Sequence, residues 1–143
     1  MTSDLGYLDV FLRLAAAVLA GAVIGFDREL RNKPAGLRTM ALVALGSAVF
    51  TVTTASAASA DSASRVIQGV ITGVGFLGAG SIIRGRDESS VRGLTTAASI
   101  WLAAAVGVAC GLAQWPIVLV ACCFGLLILM VEPIERWLKA RSS

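Results

Sequence analysis

The sequence contains no histidine, and only 15% of its 143 residues are charged. Without an imidazole there is no His-based triad, proton shuttle or histidine metal site. Cysteine is scarce as well: Cys110, Cys122 and Cys123 are the three present, an odd number that makes no disulfide framework. Each sits in an uncharged run with no acid beside it, so packing is the expected role. The low charge goes with a hydrophobic content of 57% and a mean hydropathy of +0.82. Soluble domains run at about 45–50% apolar and about 25% charged. This composition excludes an ordinary soluble enzyme, a disordered chain and a nucleic-acid binder. The net charge of +3 implies no nucleic-acid partner; what matters is where the charges sit.

What the sequence has instead is long uncharged runs. There are 22 residues from Thr39 to Ala60, 18 between Arg65 and Arg84, and 39 between Arg92 and Glu132. A membrane span needs about 20 predominantly apolar residues, and in lipid the helix is the default form for such a run. The longest run therefore holds two spans, broken at Gln114-Trp115-Pro116. The first run, Leu14 to Phe26, must reach back through Arg13 and Asp9. The expectation is an all-α membrane protein: a single transmembrane domain over 1–143, with five helices at about 8–26, 39–60, 65–83, 93–113 and 116–132. Asp4 and Asp9 precede the first run and a charge cluster follows it, which is unlike a removable signal peptide. No room is left for a second folded domain.

Ten of the twelve Lys and Arg residues fall on one side of this arrangement, leaving Arg13 and Arg65 on the other. By the positive-inside rule the N-terminus is outside and the C-terminus cytoplasmic. Asp4, Asp9 and Asp61 then lie outside. Gly36-Leu37-Arg38-Thr39-Met40-Ala41 and Gly93-Leu94-Thr95-Thr96-Ala97-Ala98 share the pattern G-L-x-T-x-A, each after a charged loop. Asp9/Arg13 and Asp61/Arg65 are i, i+4 pairs at the outer ends of helices one and three. Together these predict a parallel repeat of helix pairs one-two and three-four, with each outer pair a neutralised headgroup anchor whose arginine snorkels outward.

Gly73-Val-Gly75-Phe-Leu-Gly78 matches G-x-G-x-x-G, but it lies inside an uncharged span with no strand before it, so it is no dinucleotide site. Gly21/Gly25, Gly69/Gly73 and Gly107/Gly111 are G-x-x-x-G pairs of the kind that let helix backbones approach in lipid. With Gly75, Gly78 and Gly80 added, helix three is expected to be central and tightly packed, or else broken and lining a cavity. The glycine faces fit packing within one chain or a homo-oligomer equally well.

The first charged loop carries Asp27, Arg28, Glu29, Arg31, Lys33 and Arg38; the second carries Arg84, Arg86, Asp87, Glu88 and Arg92. Positive-inside flanking accounts for the bases but not for the interleaved acids. Asp27 and Glu29 have two roles open to them: pairing with arginines of the neighbouring loop, or holding a hard cation such as Mg²⁺. Bases outnumber acids four to two in the first loop and three to two in the second, which favours anions such as lipid headgroups or an acidic partner. No Asp, Glu, Lys or Arg falls at the middle of a span. Polar lining is limited to Ser47, Thr51, Thr53, Thr54, Gln68, Thr72, Thr95, Thr96 and Ser99, most of which are expected to bond back to their own helices. With no activated nucleophile and no paired carboxylate in a span, an enzyme is not expected.

Gly21-x-x-Ile24-Gly25-x-Asp27-Arg28-Glu29-x-x-x-Lys33-Pro34-Ala35-Gly36-Leu37-Arg38-Thr39 resembles the first signature of the MgtC/SapB membrane proteins. Gly73-x-Gly75-Phe76-Leu77-Gly78-Ala79-Gly80-x-Ile82, followed by Val91-x-Gly93-Leu94-Thr95-Thr96-Ala97-Ala98-x-Ile100-Trp101, is similar to the second. Asp27 stands where that family usually has Glu, keeping the charge with a shorter reach. Many relatives carry a soluble C-terminal domain, whereas this sequence ends at Ser143, so functions resting on that domain are not carried over. The resemblance implies a multi-pass bacterial inner-membrane protein linked to magnesium limitation. In pathogens it also implies survival inside macrophages and restraint of ATP synthase. The resulting expectation is a non-enzymatic, cofactor-free protein that regulates a membrane partner, ATP synthase or a magnesium transporter. Its working residues would be Asp27, Arg28, Glu29, Lys33 and Arg38, with Asp87, Glu88 and Arg92 opposite. The alternative is a transporter or channel for Mg²⁺ or another cation, with the loop acids as its gate.

Overall fold

A computed structural model of the chain describes residues 6–55, 60–84 and 91–131. Its helices are α1 (Tyr7–Leu30), α2 (Leu37–Ala55), α3 (Ala60–Gly80), α4 (Leu94–Gly111) and α5 (Trp115–Met130). A two-residue antiparallel ladder, β1 (Ile83–Arg84) against β2 (Val91–Arg92), joins α3 to α4 with Ile83 opposite Arg92. The all-helical expectation missed this ladder, which is too short to leave a period-2 pattern. By length and composition α1, α2 through Thr54, and α4 are long and apolar enough to cross a membrane.

The centre of the bundle is α2, packed along α1 on one side and α4 on the other. Backbones meet there because the facing residues lack side chains. A Cβ added at Gly21 would lie 2.6 Å from the Met40 carbonyl oxygen, and one at Gly25 would lie 2.6 Å from Leu37 Cα. On the opposite side, a Cβ at Gly107 would strike the Ala44 carbonyl, and one at Gly111 would sit 2.7 Å from Thr51 Cβ. Alanines fill the rest of these seams, with Ala17, Ala44, Ala48 and Ala103 all inaccessible. Ser47 and Thr51, buried on α2, donate back to the Val43 and Ser47 carbonyls at 2.9 and 2.7 Å. The outer faces carry Leu19, Phe26, Leu42, Phe50, Phe76 and Leu127, an apolar exterior suited to lipid.

Helix three is not the central element. It is one unbroken helix that leans on α4 and more lightly on α2. A Cβ at Gly69, Gly73, Gly75 or Gly80 would meet nothing within 4 Å, and one at Gly78 would make ordinary contact with Ala97 at 3.6 Å. An apolar groove of about 780 Å³, lined by Phe50, Val66, Gly69 and Gly73 among others, separates α3 from α2. Glycine count alone misled here, because a small residue permits close approach without causing it.

The boundaries differ from the expected ones for identifiable reasons. Helix α1 runs four residues beyond Phe26, because Asp27, Arg28 and Glu29 all find partners while helical. The break before α5 lies at Leu112–Gln114, two residues earlier than the expected Gln114-Trp115-Pro116. There Gln114 N–H bonds to the Ala109 carbonyl and Ala113 N–H to that of Cys110, both at 2.9 Å, with Ala113 at φ 55°. This is a Schellman closure with alanine in the left-handed position usually held by glycine. Pro116 then falls in the first turn of α5, where its missing N–H costs nothing. The outer pairs also differ. Arg13 Nε lies 2.8 Å from Asp9 Oδ2, and Arg13 Nη1 donates to the Gly111 carbonyl at 2.9 Å. So Arg13 ties α1 to the end of α4 rather than only snorkelling outward. Asp61 and Arg65, both described, form no such ion pair. Residues 132–143, with Glu132, Arg136, Lys139 and Arg141, lie outside the described set.

Gly107→Ala is expected to destabilise the protein by about 1–3 kcal/mol through overpacking against α2, whereas Gly73→Ala is expected to cost nothing. Thermal unfolding in mild detergent, followed by circular dichroism, separates the two. The same assay should show Ala113→Gly stabilising by about 0.5–1 kcal/mol, since glycine pays no steric cost at positive φ.

Candidate functional site

The last turn of α1 places Asp27, Arg28 and Glu29 at successive helical positions, each about 100° around the axis from the one before. Their side chains therefore go to three different places. Asp27 turns along its own helix and accepts from Arg31 Nε at 2.9 Å, an i, i+4 ion pair worth about 0.3–0.5 kcal/mol. Glu29 turns toward α2, where its Oε2 accepts the Leu37 N–H at 3.0 Å and so caps that helix. Gly36 leaves room for this carboxylate, since a Cβ there would displace it.

Arg28 turns inward and is 1% exposed, the largest fully buried side chain among the described residues. Its Nε donates to the Ala35 carbonyl at 3.0 Å, Nη1 to Ser99 Oγ at 3.1 Å, and Nη2 to Thr96 Oγ1. A buried guanidinium is costly unless its donors are satisfied, so the burial and the bonds come as a set. The set ties α1, the α1–α2 connection and α4 together at one end of the bundle.

Local backbone features hold the connection in place. Lys33 N–H bonds to the Arg28 carbonyl and Asn32 N–H to that of Glu29, both at 3.0 Å, with Asn32 at φ 52°. This second Schellman closure turns the chain so that Pro34 and Ala35 pass over Arg28. On the other side, Gly93 holds φ 93°, and a Cβ there would strike the Ser81 carbonyl. The two glycines of the repeated G-L-x-T-x-A motif play the same local part: each immediately precedes a helix, with Met40 N–H bonding to Gly36 O at 3.1 Å and Ala97 N–H to Gly93 O at 2.9 Å. Their threonines diverge, since Thr39 is exposed whereas Thr96 is buried against Arg28.

Of the residues singled out from sequence, Arg28, Lys33 and Arg92 line one cavity of about 570 Å³, together with Pro34, Thr95 and Thr96. Arg38 is exposed on α2. Asp87 and Glu88 lie outside the described residues. Asp27 and Glu29 are each engaged by a different donor, and among the described residues no three Asp, Glu or Cys side chains converge in a way that could hold a metal ion. Sequence reasoning missed Ser99 and the Ala35 carbonyl as partners of Arg28, and missed Arg31 as the partner of Asp27. The i, i+4 spacing of Asp27 and Arg31 was a usable signal; contacts across 68 and 71 positions left none.

The family model described as the MgtC family matches residues 14–137. The chain belongs to the MgtC family. It is 50% identical over 104 residues to Protein MgtC of Salmonella typhimurium strain LT2, an alignment covering 73% of this chain and 44% of that protein. It is 49% identical over 98 residues to Protein MgtC of Brucella abortus strain 2308, covering 68% and 40%. Protein SrpB of Synechococcus elongatus is 43% identical over 135 residues, covering 86% of this chain and 74% of SrpB. The chain thus spans less than half the length of the MgtC relatives it matches. No solved structure matches it.

Arg28→Ala is expected to cost about 2–4 kcal/mol, because it strips a donor from three buried acceptors at once. Arg28→Lys should recover only part of this, since an ammonium cannot reach three acceptors in a plane. Glu29→Ala should cost about 1 kcal/mol by uncapping α2, with Glu29→Gln closer to the parent. Unfolding midpoints of the four variants, compared in one detergent, check this order.

Proposed function

We propose that this MgtC-family chain is a multi-pass protein of the bacterial inner membrane, with five spans, the N-terminus outside and the basic end in the cytoplasm. On this reading it acts without catalysis by regulating a partner membrane protein, in support of growth under magnesium limitation. The topology is supported by the sequence, in which ten of twelve basic residues fall on one side of the expected spans. The magnesium connection rests on family membership.

One observation carries the mechanistic part. The acids of the first signature are used to shape the basic end, Asp27 by holding Arg31 and Glu29 by capping α2. Buried Arg28 fastens that shape to α4. A charged surface held rigid by its own carboxylates suits recognition of a partner, whereas a cation path requires carboxylates open to the ion. The matched segment covers less than half of the MgtC relatives, so the proposal is confined to what this segment supplies.

Asp27→Ala and Glu29→Ala are each expected to abolish complementation of a magnesium-limited growth defect while membrane insertion stays at the parent level. Full complementation by both would falsify the assignment. Purified chain in proteoliposomes is expected to show no saturable Mg²⁺ uptake; clear uptake would replace regulation by transport.

A further inference from the structure

Asp9/Arg13 and Asp61/Arg65 share the i, i+4 spacing, yet among the described residues only the first closes into an ion pair. Asp61 and Arg65 are both exposed. Arg65 is also the charged residue in the wall of the apolar groove of about 780 Å³ between α2 and α3. From Arg65 and Phe50 this groove runs along both helices to Leu42 and Leu77. Arg65 to Leu77 is about 18 Å of helix, at the α-helical rise per residue. That is close to the depth of one leaflet, half of a hydrocarbon core about 30 Å thick. The groove is hollow because Gly46, Gly69 and Gly73 line it, and a Cβ at any of the three would meet nothing within 4 Å. It opens on the outside of the bundle, since Leu42, Phe50, Gly69, Gly73 and Leu77 are exposed. Ser47, its other polar lining residue, turns its hydroxyl to the Val43 carbonyl.

We infer that this groove binds a phospholipid with an amine headgroup, one acyl chain lying between α2 and α3, the phosphodiester on Arg65 and the ammonium at Asp61. The apolar walls suit the chain, and a leaflet-deep groove suits its length. A guanidinium takes phosphate oxygens through paired N–H donors. Charge decides between occupants. An apolar helix seated in the groove would leave Arg65 at the edge of the hydrocarbon without a counter-charge, whereas the lipid brings one. An anionic headgroup would answer Arg65 but leave Asp61 unmatched one turn away; a zwitterionic one answers both. The open Asp61–Arg65 pair thus stands at the mouth of the groove with one charge for each end of such a headgroup. The inference rests on the membrane reading of the chain and is independent of the partner proposed above.

The test uses the full chain in a non-ionic detergent, mixed with equal amounts of phosphatidylethanolamine and phosphatidylglycerol bearing the same acyl chains. Native mass spectrometry counts what stays bound. One phosphatidylethanolamine per chain is expected, in several-fold excess over phosphatidylglycerol. Arg65→Gln should weaken its retention by about tenfold, with Arg65→Lys keeping most of it. Asp61→Asn should remove the preference between the two lipids. Gly73→Leu, whose side chain fills the groove, should abolish retention while the thermal unfolding midpoint does not fall, which separates a lost groove from a lost fold. No retained lipid, equal retention of the two lipids by the parent chain, or undiminished retention by Arg65→Gln or Gly73→Leu overturns the inference. A dimer mass without bound lipid, lost in Gly73→Leu, overturns it in favour of a second copy. Membrane fractionation of the expressed chain tests the membrane reading separately.

Discussion

In hydrocarbon, helices gain nothing by hiding apolar side chains from one another, because lipid is as apolar as leucine. What draws them together is close contact and a few polar bonds. Here that constraint is met by α2, which is gripped from both sides where Gly21, Gly25, Gly107 and Gly111 bring backbone against backbone. Everything at the basic end depends on this grip. Only because α1 and α4 both lie against α2 does the last turn of α1 come within reach of Thr96 and Ser99.

Arg28 then does for the end of the bundle what the glycines do for its middle. A guanidinium sealed from solvent must find acceptors, and its planar fork fixes the relative positions of three segments. The neighbouring acids serve the same end. A run such as Asp27-Arg28-Glu29 reads as a charged loop, yet in the helix its members diverge: one joins a local pair, one enters the core and one caps the next helix. The result is a basic mouth whose shape is set by buried polar bonds.

Helix α3 shows how sequence and fold part company. Its glycines outnumber those of any other span, but most of them face open space and the helix stands off α2 across an apolar groove. The repeat is similarly uneven. The motif glycines Gly36 and Gly93 open α2 and α4 in the same way, while Asp9–Arg13 forms an ion pair and Asp61–Arg65 does not. Arg13 is held by the end of α4 as well, a neighbour that the second pair has no equivalent of in the described residues.

Low charge, absent histidine and long uncharged runs were enough to establish a helical membrane protein, because the bilayer admits few other solutions. The two ordered signatures were enough to place the family. Local closures were half legible: Gly36 and Pro34 mark a turn, whereas Ala113 in a left-handed Schellman position carries no sequence mark at all. The tertiary structure alone decided which glycines are used, which helix is central and which charge is buried. Each of these depends on what a residue meets across the bundle, and periodicity along one helix says nothing about the atoms of another.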